Sequence, residues 1–190
     1  MLTAKNVTPG MGMHYYKREN YYADDHSLER SRWFGIGAQQ LGLRGHVRPE
    51  PFEALLHGML PSGDRFRVPR RSRQPSTPGT KKLQERAGLD LTFSAPKSVS
   101  LLALVYGDEQ LEKAHRVAVE KTLAIVERRY AQTRIRFGSQ NRDRRAVDTG
   151  NLVVGQFHHD TSRDLDPHLH THRTYARAIE TDGCWSWALR

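Results

Sequence analysis

Alternation is the clearest signal in this chain. Between residues 89 and 94, Leu89, Leu91 and Phe93 fall on one side while Asp90, Thr92 and Ser94 fall on the other, the period-two pattern of a half-buried strand. Ser94-Ala95-Pro96 then opens a mostly apolar helix running through Leu101 and Leu104, because serine caps a helix and proline suits its first turn. Gly107 ends that helix and Asp108 caps the next. There Leu111, Ala114, Ala118, Thr122 and Ile125 recur at three- and four-residue spacing, with Val119 and Val126 widening the stripe, so the helix is amphipathic and packs on a sheet. Asn151 to Phe157 reads as the next strand, Asp160 to Pro167 as a polar turn and His168 to Ile179 as the returning strand. Upstream, Leu2 to Val7 forms a short strand stopped by Thr8-Pro9-Gly10, and Gly35 to Leu43 and Phe52 to Leu60 form short helical pieces punctuated by glycine. Strand, helix, helix, strand, strand in this order predicts an α+β fold, an antiparallel sheet with helices packed on one face. The other face is left open as the floor of a site.

Charge changes the picture between Ser62 and Arg86. That stretch carries Arg65, Arg67, Arg70, Arg71, Arg73, Lys81, Lys82 and Arg86 against Asp64 and Glu85, with Pro69, Pro75, Pro78 and Gly79; it reads as a basic loop rather than core. The whole chain of 190 residues has 30 Lys+Arg against 21 Asp+Glu, a formal +9, which favours a polyanionic partner such as nucleic acid. Its length suits one domain. Cys184 is the single cysteine, which excludes an internal disulfide and a cysteine metal cage and fits a reducing compartment. No apolar leader or membrane-length run is present in these residues, so a cytoplasmic protein without a membrane partner is expected.

The chemistry gathers near the end of the chain. His170-Thr171-His172 places two imidazoles on one strand face, and a hairpin can bring His159 alongside. Three imidazoles with open coordination positions suit a divalent metal ion that polarises a phosphoryl oxygen or activates water. Mg²⁺ or Mn²⁺ fits phosphoryl chemistry, and Zn²⁺ equally fits three nitrogen donors. His158 must face away from His159, whereas His168 shares the parity of His170 and is an alternative ligand. Tyr15-Tyr16 and Tyr21-Tyr22 offer nucleophiles or platforms for stacking single-stranded bases. Asp90 can orient a metal-binding histidine through its second ring nitrogen or accept a proton from a tyrosine. Lys97, opening a helix, and the loop residues Arg70, Arg71, Arg73, Lys81 and Lys82 are candidate phosphate contacts. Each feature also has a plain alternative: a surface histidine cluster, aromatic pairs in a core, solvated basic side chains. Combined, they describe metal-assisted tyrosine attack on a nucleic-acid phosphodiester.

These residues also carry a resemblance. The tyrosine pairs, Gly37-Ala38 with Leu41-Gly42-Leu43, the run from Gly88 through Asp90-Leu91-Thr92-Phe93-Ser94-Ala95-Pro96-Lys97 to Ser100, and Gly150 to Gly155 leading into the histidines resemble the N-terminal relaxase domain of the MobF class of conjugative relaxases, the TrwC/TraI type of HUH endonuclease. The resemblance implies a five-stranded antiparallel sheet with helices behind it. It implies site- and strand-specific nicking of single-stranded DNA at a plasmid origin of transfer, where an adjacent hairpin and accessory conjugation proteins are the expected partners. Tyr15 would attack the scissile phosphate to give a 5′-phosphotyrosyl adduct and a free 3′-hydroxyl. Tyr16 is its neighbour, and Tyr21 or Tyr22 matches the pair associated with later strand transfer. His159, His170 and His172 match the metal ligands and Asp90 the adjacent carboxylate. Residues 1–190 are then one relaxase-like domain, short of the segments and the helicase domain that follow in the family. The alternative is a truncated, non-catalytic single-stranded DNA-binding remnant. One departure bears on the fold: Arg173 and Arg177 stand where the family has an apolar run, and burying them is costly unless they are paired.

Overall fold

The computed structural model describes residues 1–10, 30–66, 87–137, 143–162, 164–176, 178–181 and 184–187. Among these the chain runs β1 (Leu2–Val7), β2 (Ser31–Phe34), α1 (Ile36–Gln40), α2 (Pro49–Leu56), β3 (Gly88–Ser94), α3 (Lys97–Leu104), α4 (Glu109–Tyr130), β4 (Gln132–Phe137), β5 (Asp143–Asp148), β6 (Val153–Thr161), β7 (Pro167–Ala176), β8 (Ala178–Thr181) and β9 (Cys184–Trp187). The five-stranded sheet has the order β1-β3-β7-β6-β2, and every neighbouring pair is antiparallel. β4 with β5 and β8 with β9 form separate two-stranded sheets. The expected α+β architecture is therefore present, with β7 at the centre of the main sheet.

Two apolar clusters hold the sheet from opposite sides. On one face, Val119 and Leu123 of α4 pack against Val154 and Tyr175. On the other, α2 supplies Phe52, Leu55 and Leu56 to a cluster with Trp33 and Val153. Gly155 makes this contact possible: a Cβ there would sit 2.9 Å from the Phe52 ring. Among the described residues, α2 thus covers the far end of the face that carries the histidines, while α3 and α4 lie behind the sheet.

Several local expectations shift. Asp108 does cap α4, its Oδ1 accepting from the N–H groups of Gln110 at 3.0 Å and Leu111 at 3.4 Å. Ser94 does not cap α3; it ends β3, and Pro96 precedes the helix without a side-chain cap. The buried side of α4 is also rotated from the one its apolar spacing suggests. Val119, Leu123 and Glu127 are its buried residues, whereas Ile125 and Val117 are exposed. The reason is that the sheet behind the histidines is itself polar, so α4 turns His115 and Glu127 inward as partners.

Glu127 joins three distant segments. Its Oε1 accepts from the N–H of Ile36 at 2.7 Å and of Leu152 at 2.8 Å, tying α4 to the start of α1 and the entry to β6. Burial raises its carboxyl pKa, and the two backbone donors pull the other way. Removing the acceptor strands two backbone N–H groups. Glu127→Ala is expected to cost about 2–3 kcal/mol of stability, read from urea unfolding, with Glu127→Gln losing less because its amide oxygen still accepts; an unchanged midpoint in the alanine variant would contradict this role.

Candidate active site

The register of the sheet brings the predicted histidines together. His159 is the cross-strand partner of His170, and His172 lies between Phe157 on β6 and Thr92 on β3. The rings of His159 and His170 stack with centroids 5.2 Å apart at 22°. His172 meets both edge-on, 5.3 Å from His159 and 5.1 Å from His170. His172 Nδ1 donates to Asp90 Oδ2 at 2.9 Å, with Thr92 Oγ1 3.1 Å from the same nitrogen. His170 Nδ1 donates to the carbonyl oxygen of His168 at 2.9 Å. In both rings the bond fixes the proton on Nδ1 and leaves Nε2 as the lone-pair donor, the tautomer that a metal ligand needs. As they stand, no three His, Cys, Asp or Glu side chains among the described residues already close on a common ion. The donor set nevertheless fits one: neighbouring imidazoles with their second nitrogens engaged, and a buried carboxylate behind one of them. Asp90 is 1% exposed, and its Oδ1 has no hydrogen-bond partner among the described residues.

The start of β7 is pinned by the segment after β3. Ala95 N–H donates to Leu169 O at 2.9 Å, and the Ser100 hydroxyl accepts from Leu169 N–H at 3.1 Å while donating to Pro96 O. Lys97 leans over the same corner, its Nζ 3.2 Å from Pro167 O and 3.6 Å from Asp166 Oδ2. The Ser94 to Ser100 motif therefore holds the strand that carries His168, His170 and His172. Behind the sheet, His158 faces away from His159 as expected. Its Nδ1 lies 2.9 Å from Thr171 Oγ1, which is 3.3 Å from His115 Nε2 on α4. Arg173 is wholly buried on this reverse face. Its Nη1 donates to Gln156 Oε1, Nε and Nη2 have no partner among the described residues, and burial lowers its pKa to about 9. The expected cost of burying Arg173 is thus only partly offset, while Arg177 lies outside the described residues. Thr92, Ser100 and His115 were not singled out from sequence; the parity of Thr92 with Asp90 was the one available signal.

A family model described as TrwC relaxase matches residues 9–188. The chain belongs to the TrwC relaxase family. It is 44% identical over 174 residues to the multifunctional conjugation protein TraI of Escherichia coli, spanning 92% of this chain and 9% of that protein. The K12-strain TraI is 43% identical over 175 residues, with the same shares of 92% and 9%. Among solved structures, metal-bound conjugative relaxase TrwC in complex with oriT DNA superposes with a TM-score of 0.79 at 42% identity, covering 99% of this chain and 61% of that one. TrwC complexed with a 27-mer DNA comprising the recognition hairpin and the cleavage site gives 0.76 at 40% identity, covering 99% and 60%. The chain therefore spans a small part of the curated TraI proteins and about three fifths of the TrwC chains in those structures. Tyr15, Tyr16, Tyr21, Tyr22, Arg70, Arg71, Arg73, Lys81 and Lys82 lie outside the described residues. Among the described residues, no helix is long and apolar enough to cross a membrane.

Burial keeps two of the histidines of this relaxase-family site neutral. Burial pushes the His159 pKa down to about 3, with His172 and His170 adding to the effect. Burial likewise lowers His170 to about 4, against the opposing bond to the His168 carbonyl. Both rings are neutral at pH 7, the state in which imidazole binds a metal. An unfolded chain protonates these groups near 6.5, so on acidification towards 4 it takes up protons that the folded state refuses. Their contribution to stability is complete above pH 6.5 and declines as pH falls towards those lowered values. Thermal midpoints of chelator-treated protein should drop over that range, with a shallower slope in His170→Gln. A slope unaffected by the substitution would refute the assignment.

Proposed function

We propose that this chain nicks and transfers single-stranded DNA, site- and strand-specifically, at a plasmid origin of transfer. One observation carries the reading: in a member of the TrwC relaxase family, His159, His170 and His172 share one sheet face with Asp90 hydrogen-bonded to His172. The solved TrwC complexes with oriT DNA, including the hairpin and cleavage site, support the substrate class.

In the proposed reaction the phenolic oxygen of Tyr15 attacks the scissile phosphorus as the bond to the 3′-oxygen breaks. The products are a 5′-phosphotyrosyl link and a free 3′-hydroxyl. Asp90 holds His172 through Oδ2 and accepts the phenolic proton on Oδ1, and solvent supplies the proton that the departing 3′-oxygen takes up. Attack by an incoming 3′-hydroxyl on the phosphotyrosine reverses the step and returns the phenol, so the phosphodiester energy is conserved. Tyr16 stands beside the nucleophile, and Tyr21 or Tyr22 serves the later strand transfer. His159, His170 and His172 would hold a divalent ion, with Mg²⁺, Mn²⁺ and Zn²⁺ all suited, which would supply Lewis-acid polarisation of a phosphoryl oxygen. Lys97, Arg70, Arg71, Arg73, Lys81 and Lys82 neutralise flanking phosphates. The proposed setting is the bacterial cytoplasm, with accessory conjugation proteins as partners.

With Mg²⁺ or Mn²⁺ and single-stranded oligonucleotides that include DNA flanking the gene, wild type should form a denaturation-resistant protein–DNA adduct that Tyr15→Phe does not. DNA binding without any adduct would sink the catalytic reading. By calorimetric titration, His170→Ala should weaken divalent-ion affinity by about 10- to 100-fold or more, while His158→Ala, on the reverse face, leaves it nearly intact. Equal losses in the two variants would remove the metal assignment.

A further inference from the structure

Among the described residues, His168 is the one histidine on the site face of β6 and β7 that the proposed reaction leaves unused. It precedes His170 by two residues on β7, and the two rings stack with centroids 4.7 Å apart at 22°. His170 in turn stacks on His159 at the same 22° tilt. His170 thus stacks with His159 across the sheet and with His168 along β7, and His172 is set edge-on to His159 and His170. His168 is half-buried where its two successors on the site face are buried. Lys97 stands at the same corner, its ammonium bonded to the carbonyl of Pro167, the residue before His168.

We propose that His168 is a stacking platform for one base of the bound strand, so that the base lies on the imidazole face turned from His170 and its phosphate falls beside Lys97. The inference rests on the proposed action on single-stranded DNA and adds the element that aligns the strand with the metal-binding histidines. An aromatic face at the open end of a stack is what an unpaired base seeks, and such contacts tolerate any base because each presents a π-face. The contact is made through ring surface, while Lys97 answers the phosphate. The competing role for His168, a further metal ligand, requires its nitrogen rather than its ring face, and substitutions separate the two. Tyrosine or phenylalanine keeps a planar face and lacks the imidazole donor.

The experiment uses the full chain, Mg²⁺, and short mixed-sequence single strands carrying 2-aminopurine at successive positions. Wild type should quench the probe at one position through stacking. His168→Ala should lose that quench and bind DNA about 5- to 100-fold more weakly, whereas His168→Tyr and His168→Phe should retain both, all three titrating Mn²⁺ like wild type. The inference is overturned if His168→Ala binds DNA and quenches like wild type, or if Mn²⁺ affinity falls in all three variants, which would make His168 a ligand. Absence of single-stranded DNA binding by wild type itself would bring down the proposed function and this inference together, an outcome distinct from either of those.

Discussion

The register of β7 between β3 and β6 is the constraint on which everything else depends. Pairing His170 with His159, and His172 with Thr92, puts three imidazoles on one face within ring contact of each other and sets Asp90 against His172. A one-residue slip of β7 would turn Thr171 and Arg173 to the site and bury the histidines against α4, because strand side chains alternate. Local bonds oppose such a slip. Ser100 and Ala95 hold the backbone of Leu169, and the Asp90 carboxylate holds His172 further along the same strand, so both contacts are kept only if no residue is gained or lost between them. The motif after β3 is thus an alignment device for β7.

Both faces of β7 are polar, which is unusual for a central strand in a sheet covered by helices. The site face carries imidazoles, and the reverse face carries Thr171 and Arg173. The apolar clusters divide instead around the far end of the sheet, under α2 on one side and α4 on the other. This arrangement explains why α4 buries Glu127 and turns His115 toward Thr171. A buried guanidinium with a single hydrogen-bond acceptor contributes little net stability. It does penalise a one-residue slip of β7, which would turn Arg173 to the site face and away from Gln156.

Much of this was legible from alternation and spacing. β1 and β3 fall where the pattern puts them, as does the grouping of His159, His170 and His172, because each rests on period-two geometry that tertiary contacts reinforce. The orientation of Asp90 toward a ligand histidine was one of two readings, and the hydrogen bond to His172 supports the orienting role. The edge strand β2 and the hairpin of β4 with β5 went unread: β2 is four residues long, and arginines occupy alternate positions of β4, masking its pattern. α2 begins at Pro49, three residues before the expected piece, since proline at the first turn was outweighed by apolar content further on. The buried face of α4 was misjudged for a physical reason. Apolar spacing locates the buried side of a helix only when the surface it meets is apolar, and here it meets Arg173, Thr171 and His158.

The place of β7 in the chain has a consequence for how the molecule is made. The central strand comes after residue 166, yet β3, near residue 90, and β6 must pair with its two edges. Until β7 leaves the ribosome, β1 with β3 and β2 with β6 are two separate ribbons, each presenting an unsatisfied edge and half of an apolar face. Long-range pairing of this kind is slow and leaves aggregation-prone edges exposed while it waits. Insertion of one strand joins the ribbons and, in the same event, assembles the histidine cluster. The nascent chain therefore lacks the assembled histidine cluster until its sheet is closed, and emergence of β7 sets how long those edges stay exposed.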